Sequence, residues 1–154
     1  MKILFVCTGN ICRSPTAEAL FLHRAAERGL AGQVAADSAG TSSEESGNPP
    51  DRRARIAAAA RGCTLPDRRA RRITATDFDT FDLIVAMDRG HLATLRRRAP
   101  DHARDRLRLF MEFAGPDAPP DVPDPWYGDE YDFEHALDLI EAGVDGLLAQ
   151  MAGR

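Results

Sequence analysis

Cys7-Thr8-Gly9-Asn10-Ile11-Cys12-Arg13-Ser14-Pro15 lies between an apolar run and an amphipathic one. The run before it, residues 3–7, reads as a buried strand. Ser14 is a good helix N-cap, and Pro15 suits the first helical position. A strand therefore ends at a cysteine, turns through a short polar loop and feeds a helix. In that geometry loop N–H groups and a helix N-terminus face one point, which favours an anion there. Thiols at helix N-termini beside a cation ionise more readily than free ones. Arg13 is that cation, and its planar fork matches two oxygens of a phosphoryl group. The loop thus carries a nucleophile, Cys7, and an oxyanion clamp. It lacks the Gly-Lys-Ser/Thr of a nucleotide loop and has too few glycines for a dinucleotide turn. The plainer reading is a structural cysteine followed by an arginine on a helix. The flanking strand, the helix start and Asn10 favour the chemical one.

Strand and helix signals alternate along the rest of the chain. A first helix is expected over residues 14–28, with Gly29 as its stop. A strand over 33–36 ends at Asp37-Ser38-Ala39-Gly40-Thr41, and a polar loop follows to Pro50. Residues 51–61 read as a helix stopped by Gly62. Residues 73–82 hold a helical turn capped by Thr74 or Thr76. Leu83-Ile84-Val85-Ala86-Met87 is the clearest strand and ends at Asp88. A helix over 89–98 and a weaker strand over 106–110 come next. A loop over 111–131 then carries five prolines. Phe133, Leu137, Ile140, Val144, Leu147, Leu148 and Met151 recur at helical steps. Such alternation predicts a parallel sheet covered on both faces, with ligands beyond the carboxyl ends of its strands. That placement brings Cys7, Ser38, Asp88 and the long loop to one mouth.

A thiolate that attacks phosphorus must expel a poor leaving group, so a general acid is needed. The long loop offers Asp117, Asp121 and Asp124. Asp124 is distinguished by the Pro125, Trp126, Tyr127 and Gly128 that follow it: proline stiffens the backbone, and two aromatics could wall an aromatic substrate.

Composition narrows the class. The 154 residues suit one domain, and 44% apolar with 29% charged residues is ordinary for a soluble globular chain. No apolar run approaches the roughly 20 residues of a membrane span, and the first run is too short for a signal peptide. A cytoplasmic location is the expectation. Three cysteines do not build a secreted disulfide framework. Charge is segregated: arginines cluster at 61–72 and 96–108, whereas residues 112–145 hold eleven acids and no Lys or Arg. The arginine runs read as solvated helix faces in preference to a site for anionic partners. No nucleic-acid motif, metal-ligand spacing or internal repeat occurs.

The run from Val6 to Ala19, Val6-Cys7-Thr8-Gly9-Asn10-Ile11-Cys12-Arg13-Ser14-Pro15-Thr16-Ala17-Glu18-Ala19, resembles the opening of the low-molecular-weight protein tyrosine phosphatases. Val122-Pro123-Asp124-Pro125-Trp126-Tyr127-Gly128 resembles that family's acid loop, with Trp126 in place of its first tyrosine. The resemblance spans the chain. It implies one three-layer α/β domain over residues 1–154, with a four-stranded parallel sheet of flavodoxin-like order 2-1-3-4. It implies hydrolysis of phosphotyrosine and aryl phosphates in two steps. Cys7 attacks phosphorus while Arg13 and the loop, Thr8, Gly9, Asn10, Ile11 and Cys12, hold the oxygens. Asp124 protonates the leaving group, then activates water against the phosphocysteine. Ser14 would stabilise the thiolate, and Asn10 would fix the loop with help from Ser38. No cofactor or metal is implied. The partner implied is a phosphotyrosine protein, such as an autophosphorylated tyrosine kinase. Nucleic acid and membrane insertion are not expected, and the chain would be a monomer or weak dimer. Family members with a Cys12 equivalent suggest a reversible disulfide with Cys7.

The chain departs from the family pattern in three places. Glu44 stands where a large aromatic is usual in the substrate pocket beside Trp126 and Tyr127, and Glu45 adds a second charge. Arg68 replaces a histidine, so that residue's supporting contact cannot be carried over. Trp126 is the third departure. A phosphoarginine phosphatase of the same superfamily is the chief alternative. Such enzymes tend to carry threonine where Ile11 stands, which favours an aryl ester here, whereas Glu44 and Glu45 favour a cationic peptide. A thiol-coupled arsenate reductase would need two further relay cysteines. A non-catalytic anion-binding domain would not need both Cys7 and Asp124.

Overall fold

Residues Ile3 to Val6 have no solvent exposure on either side, which suits a strand in the middle of a parallel sheet. In the computed structural model, which describes residues 1–153, this segment is β1 (Lys2–Cys7). The elements after it are α1 (Arg13–Glu27), β2 (Ala35–Gly40), α2 (Arg52–Ala60), α3 (Asp77–Thr80), β3 (Leu83–Ala86), α4 (Arg89–Arg98), β4 (Leu107–Leu109) and α5 (Glu130–Ala152). Among the described residues four strands form one parallel sheet in the order β2-β1-β3-β4. This is the expected topology.

Alternate residues of β1 face opposite layers. Ile3, Phe5 and Cys7 join a core with α1, α2 and α5, whereas Leu4 and Val6 pack with α3 and α4. Phe5 contacts Phe21 of α1 and Phe110, with ring centroids 5.6 and 5.9 Å apart.

Several boundaries differ from expectation. The second strand begins two residues later and continues to Gly40, through residues read as its exit. Pairing supplied by β1 overrides the weak β-propensity of Ala35-Ala36-Asp37-Ser38-Ala39-Gly40. The first helix begins at Arg13, not Ser14, and Cys12 is its cap residue without a side-chain bond. Ser14 and Pro15 lie inside the first turn, where a proline removes no intrahelical bond. Neither threonine side chain bonds to cap α3. Thr76 holds the cap position without a side-chain bond, and Thr74 donates its N–H and hydroxyl to Asp77. Residues Phe110–Ala114 of the long loop form a 3-10 turn, and α5 starts at Glu130 behind a reciprocal Asp129–Asp132 cap.

The carboxyl ends of β1, β2 and β3 meet at one edge. Pairing there runs past the strands: Thr41 and Ser42 donate their N–H groups to the carbonyls of Cys7 and Thr8. Gly40 is required at this approach, because a Cβ there would stand 2.5 Å from the Thr8 carbonyl oxygen.

Candidate active site

The loop between β1 and α1 is shaped by Asn10. Its φ is +60°, the one positive value outside glycine among the described residues, and asparagine tolerates that conformation better than most. Its side chain is buried and fully engaged. Oδ1 accepts the Arg71 N–H at 3.1 Å, while Nδ2 donates to Ser14 Oγ at 2.8 Å and to Ser38 Oγ at 2.9 Å. The backbone donor sets the amide's orientation, and the orientation sets the rest. Ser14 receives from Asn10, so its own hydroxyl hydrogen is free for Cys7 Sγ, 3.0 Å away. Ser14 therefore serves the thiol and not the backbone, which is why it is no cap.

The same chain of donors runs outward. Ser38 donates to Glu18 Oε1 at 2.6 Å, and Arg68 donates to Glu18 Oε2 at 2.5 Å while pairing with Asp37. Glu18 is 1% exposed. Burial pushes its carboxyl up, against the bonds from Ser38 and Arg68. Arg68, read only as a lost histidine, thus anchors the outer end of a network that reaches Cys7.

Arg13 is 4% exposed. Its Nη1 donates to Asp88 Oδ2 at 3.1 Å and to the Val122 carbonyl at 3.0 Å. Nη2 is left on the side of Thr8 Oγ1, at 3.5 Å, and Asp124 Oδ2, at 3.6 Å. Val122 is fully buried and also donates its N–H to the Met87 carbonyl at 2.9 Å. The long loop is thereby pinned to the end of β3 and to Arg13 two residues before Asp124. Asp124 Oδ1 accepts the Trp126 N–H at 3.1 Å, which turns the other oxygen toward Arg13.

The remaining loop acids are placed differently. Arg89 binds Asp121 through its backbone N–H and its guanidinium, and that bond holds the Asp121 carboxyl below the usual range. Asp121 is therefore committed to Arg89 and does not line the cleft. Asp117 is exposed and lies outside the cleft. The cleft is lined by Cys7, Thr8, Gly9, Ile11, Cys12, Arg13, Ser42, Glu44, Glu45, Asp124, Trp126 and Tyr127. Each residue expected there on sequence grounds reaches it or, for Asn10, Ser14 and Ser38, braces it from behind.

Two details of the walls differ from the reading of paired aromatics. Trp126 is held by Arg53, whose guanidinium lies 5.2 Å from its ring and 4.6 Å from that of Phe133. Tyr127 is 95% exposed and stands at the rim without a packed face. Cys12 is buried, and desolvation together with Asp51 pushes its thiol up, so it stays protonated beside Cys7. Among the described residues no group of His, Cys, Asp and Glu comes together to hold a metal ion.

The family model for low molecular weight phosphotyrosine protein phosphatases matches residues 2–154. The chain belongs to that family. A low molecular weight protein-tyrosine-phosphatase of Streptomyces coelicolor is 45% identical over 160 residues, covering 99% of this chain and 97% of that one. The crystal structure of a protein tyrosine phosphatase from Entamoeba histolytica, with Hepes in its active site, superposes with a TM-score of 0.95. It is 35% identical and covers 99% of this chain and 97% of its own. YwlE arginine phosphatase, in a mutant with a phosphorylated active site serine, superposes at 0.88 with 29% identity, covering 99% and 96%.

Within this family frame, sequence reasoning missed Asp88 as the partner of Arg13, His91 behind Thr8, and the Glu18–Arg68 pair. A strand ending in Asp88 at the ligand edge was the available signal for the first. The other two turn on Glu18 and His91, buried polar residues in helices that no local pattern separates from surface ones.

Proposed function

We propose that this phosphatase hydrolyses protein phosphotyrosine through a phosphocysteine. The observation that carries this reading is the convergence of Cys7, Arg13 and Asp124 on one cleft from three separate elements. Cys7 attacks phosphorus with Ser14 donating to its sulfur, which stabilises negative charge there. Arg13 and the loop N–H groups receive the equatorial oxygens. Asp124 gives its proton to the leaving phenol and recovers one from the water that cleaves the intermediate. Cys12 supplies the second thiol that a reversible disulfide with Cys7 requires.

The preference for an aryl ester rests on Ile11 and Trp126, which give the cleft apolar surface. The phosphoarginine alternative rests on Glu44 and Glu45 at the same mouth. Phosphate release from paired phosphotyrosine and phosphoarginine peptides, with a chelator present, separates the two. Wild type is expected to turn over phosphotyrosine. Cys7→Ser is expected to have no activity, and Asp124→Asn to lose about 10²–10⁴-fold in kcat. Preferred release from phosphoarginine would overturn the substrate, and full activity of Cys7→Ser would overturn the mechanism. A phosphotyrosine protein, such as an autophosphorylated tyrosine kinase, is the partner class that follows, acted on by a monomer or weak dimer.

A further inference from the structure

We propose that His91, braced by Asp88, is a positioning residue that orients the Thr8 hydroxyl and through it the oxyanion-binding face of Arg13. The inference rests on the phosphatase reading of this cleft and adds to it a residue from α4 that does not line the cleft.

Four side chains close a ring. Arg13 Nη1 donates to Asp88 Oδ2 at 3.1 Å. The other Asp88 oxygen, Oδ1, accepts the His91 backbone N–H at 2.8 Å and lies 3.1 Å from His91 Nδ1. His91 Nε2 meets Thr8 Oγ1 at 2.7 Å. Thr8 Oγ1 lies 3.5 Å from Arg13 Nη2, which returns to the start.

The direction of every proton follows from the chemistry of the members. A guanidinium only donates, so Thr8 Oγ1 accepts from Arg13. The Asp88 carboxylate beside Nδ1 favours the tautomer protonated there, so Nε2 presents a lone pair and takes the Thr8 hydroxyl hydrogen. The imidazole proton then faces Asp88 Oδ1. That oxygen also accepts the His91 backbone N–H, and Nδ1, 3.1 Å from it, is a buried polar atom without a well-aligned bond. The contact there is electrostatic, and it selects the tautomer that leaves Nε2 free to accept.

The ring works only with a neutral imidazole. His91 is 5% exposed, and burial lowers its pKa from 6.5 to about 4. Asp88 at the helix cap, Asp124 and Asp121 from the long loop oppose that shift, and Arg13 of α1 adds to it. At neutral pH the imidazole is thus a pure acceptor toward Thr8. Fixing Thr8 holds Nη2 of Arg13 from the side while Asp88 and Val122 hold Nη1, so the guanidinium plane is set before a phosphoryl group arrives.

The test measures inorganic phosphate binding by calorimetry, which needs no turnover, beside kcat and KM for 4-nitrophenyl phosphate. The proteins are wild type, His91→Ala, His91→Gln, Thr8→Val and the His91→Ala/Thr8→Val pair, each checked for a cooperative thermal transition. His91→Ala is expected to weaken phosphate binding and kcat/KM about tenfold, the worth of one well-made hydrogen bond. Thr8→Val is expected to do the same, and the pair no more, because both act through one hydroxyl. His91→Gln, which restores an acceptor, is expected to recover most of the loss. Losses that multiply in the pair overturn the proposal. So does a folded His91→Ala that binds phosphate within about twofold of wild type, or a His91→Gln no better than His91→Ala. A wild type that binds phosphate but releases none from the substrate would instead overturn the function proposed above.

Discussion

His91 shows how one side chain ties stability to pH. In the fold it takes up its proton near pH 4, and in the unfolded chain near 6.5. Between those values the unfolded state holds more protons, so stability rises with pH across the window and is lost as pH falls from 6.5 toward 4. At 1.36 kcal/mol per unit the effect reaches about 3 kcal/mol. Urea unfolding at pH 7 and at pH 4.5 should therefore show wild type losing more stability than His91→Gln. Equal losses would remove His91 as the origin. Asn10 makes a different point at the same scale. Its strained φ is held by three partners, one of them the Arg71 backbone 61 residues away. A short loop motif is here completed by a distant segment.

Among the elements, α5 is packed too closely for its own helical propensity. Glycine inside a helix costs about 1 kcal/mol relative to alanine, so Gly143 and Gly146 look like weak points. Against the turn Phe110–Ala114 they are required. A Cβ at Gly146 would stand 1.7 Å from the Phe113 carbonyl oxygen, and one at Gly143 2.4 Å from the Phe110 ring. Gly146→Ala is expected to destabilise by about 1–3 kcal/mol, the usual cost of overpacking. Thermal unfolding checks this, and a raised midpoint would mean the turn yields freely. Phe110, which a Cβ at Gly143 would strike, also packs on Phe5 of β1, so crowding at Gly143 would pass into the sheet beneath Cys7. The same helix carries acids that answer arginines elsewhere. Arg24 of α1 and Arg28 just after it pair with Asp145, and Arg24 also pairs with Glu141. Arg61 after α2 pairs with Glu134, Asp138 and Glu141. The segregated charges of the sequence are thus neighbours in space, and much of the 61–72 run is ion-paired in place of being simply solvated.

At the scale of the whole molecule, a net charge of −4 and the acids Glu44 and Glu45 make the cleft mouth unwelcoming to acidic peptides. Glu44→Lys with Glu45→Gln is expected to raise kcat/KM several-fold for phosphotyrosine peptides with acidic flanks. The gain should shrink in about 1 M salt, where screening acts over roughly 3 Å. An unchanged preference would place both glutamates outside the path of the peptide. The alternation of strands and helices, the Cys7–Arg13 loop and Asp124 as a carboxylate at the same cleft were legible in the sequence. Each is carried by local signals: apolar periodicity, turn residues and a short motif. The contacts of Arg68 with Glu18, of Asp88 with Arg13 and of His91 with Thr8 were not. They join residues 50, 75 and 83 positions apart whose types are ordinary for a helix, a strand end or a loop. Sequence alone determined which groups are available for the proposed chemistry, because a thiol, a guanidinium and a carboxylate are set by residue type. Only the tertiary structure decided how those groups are held, because a buried hydrogen bond depends on which distant donor the fold brings within 3 Å of an acceptor.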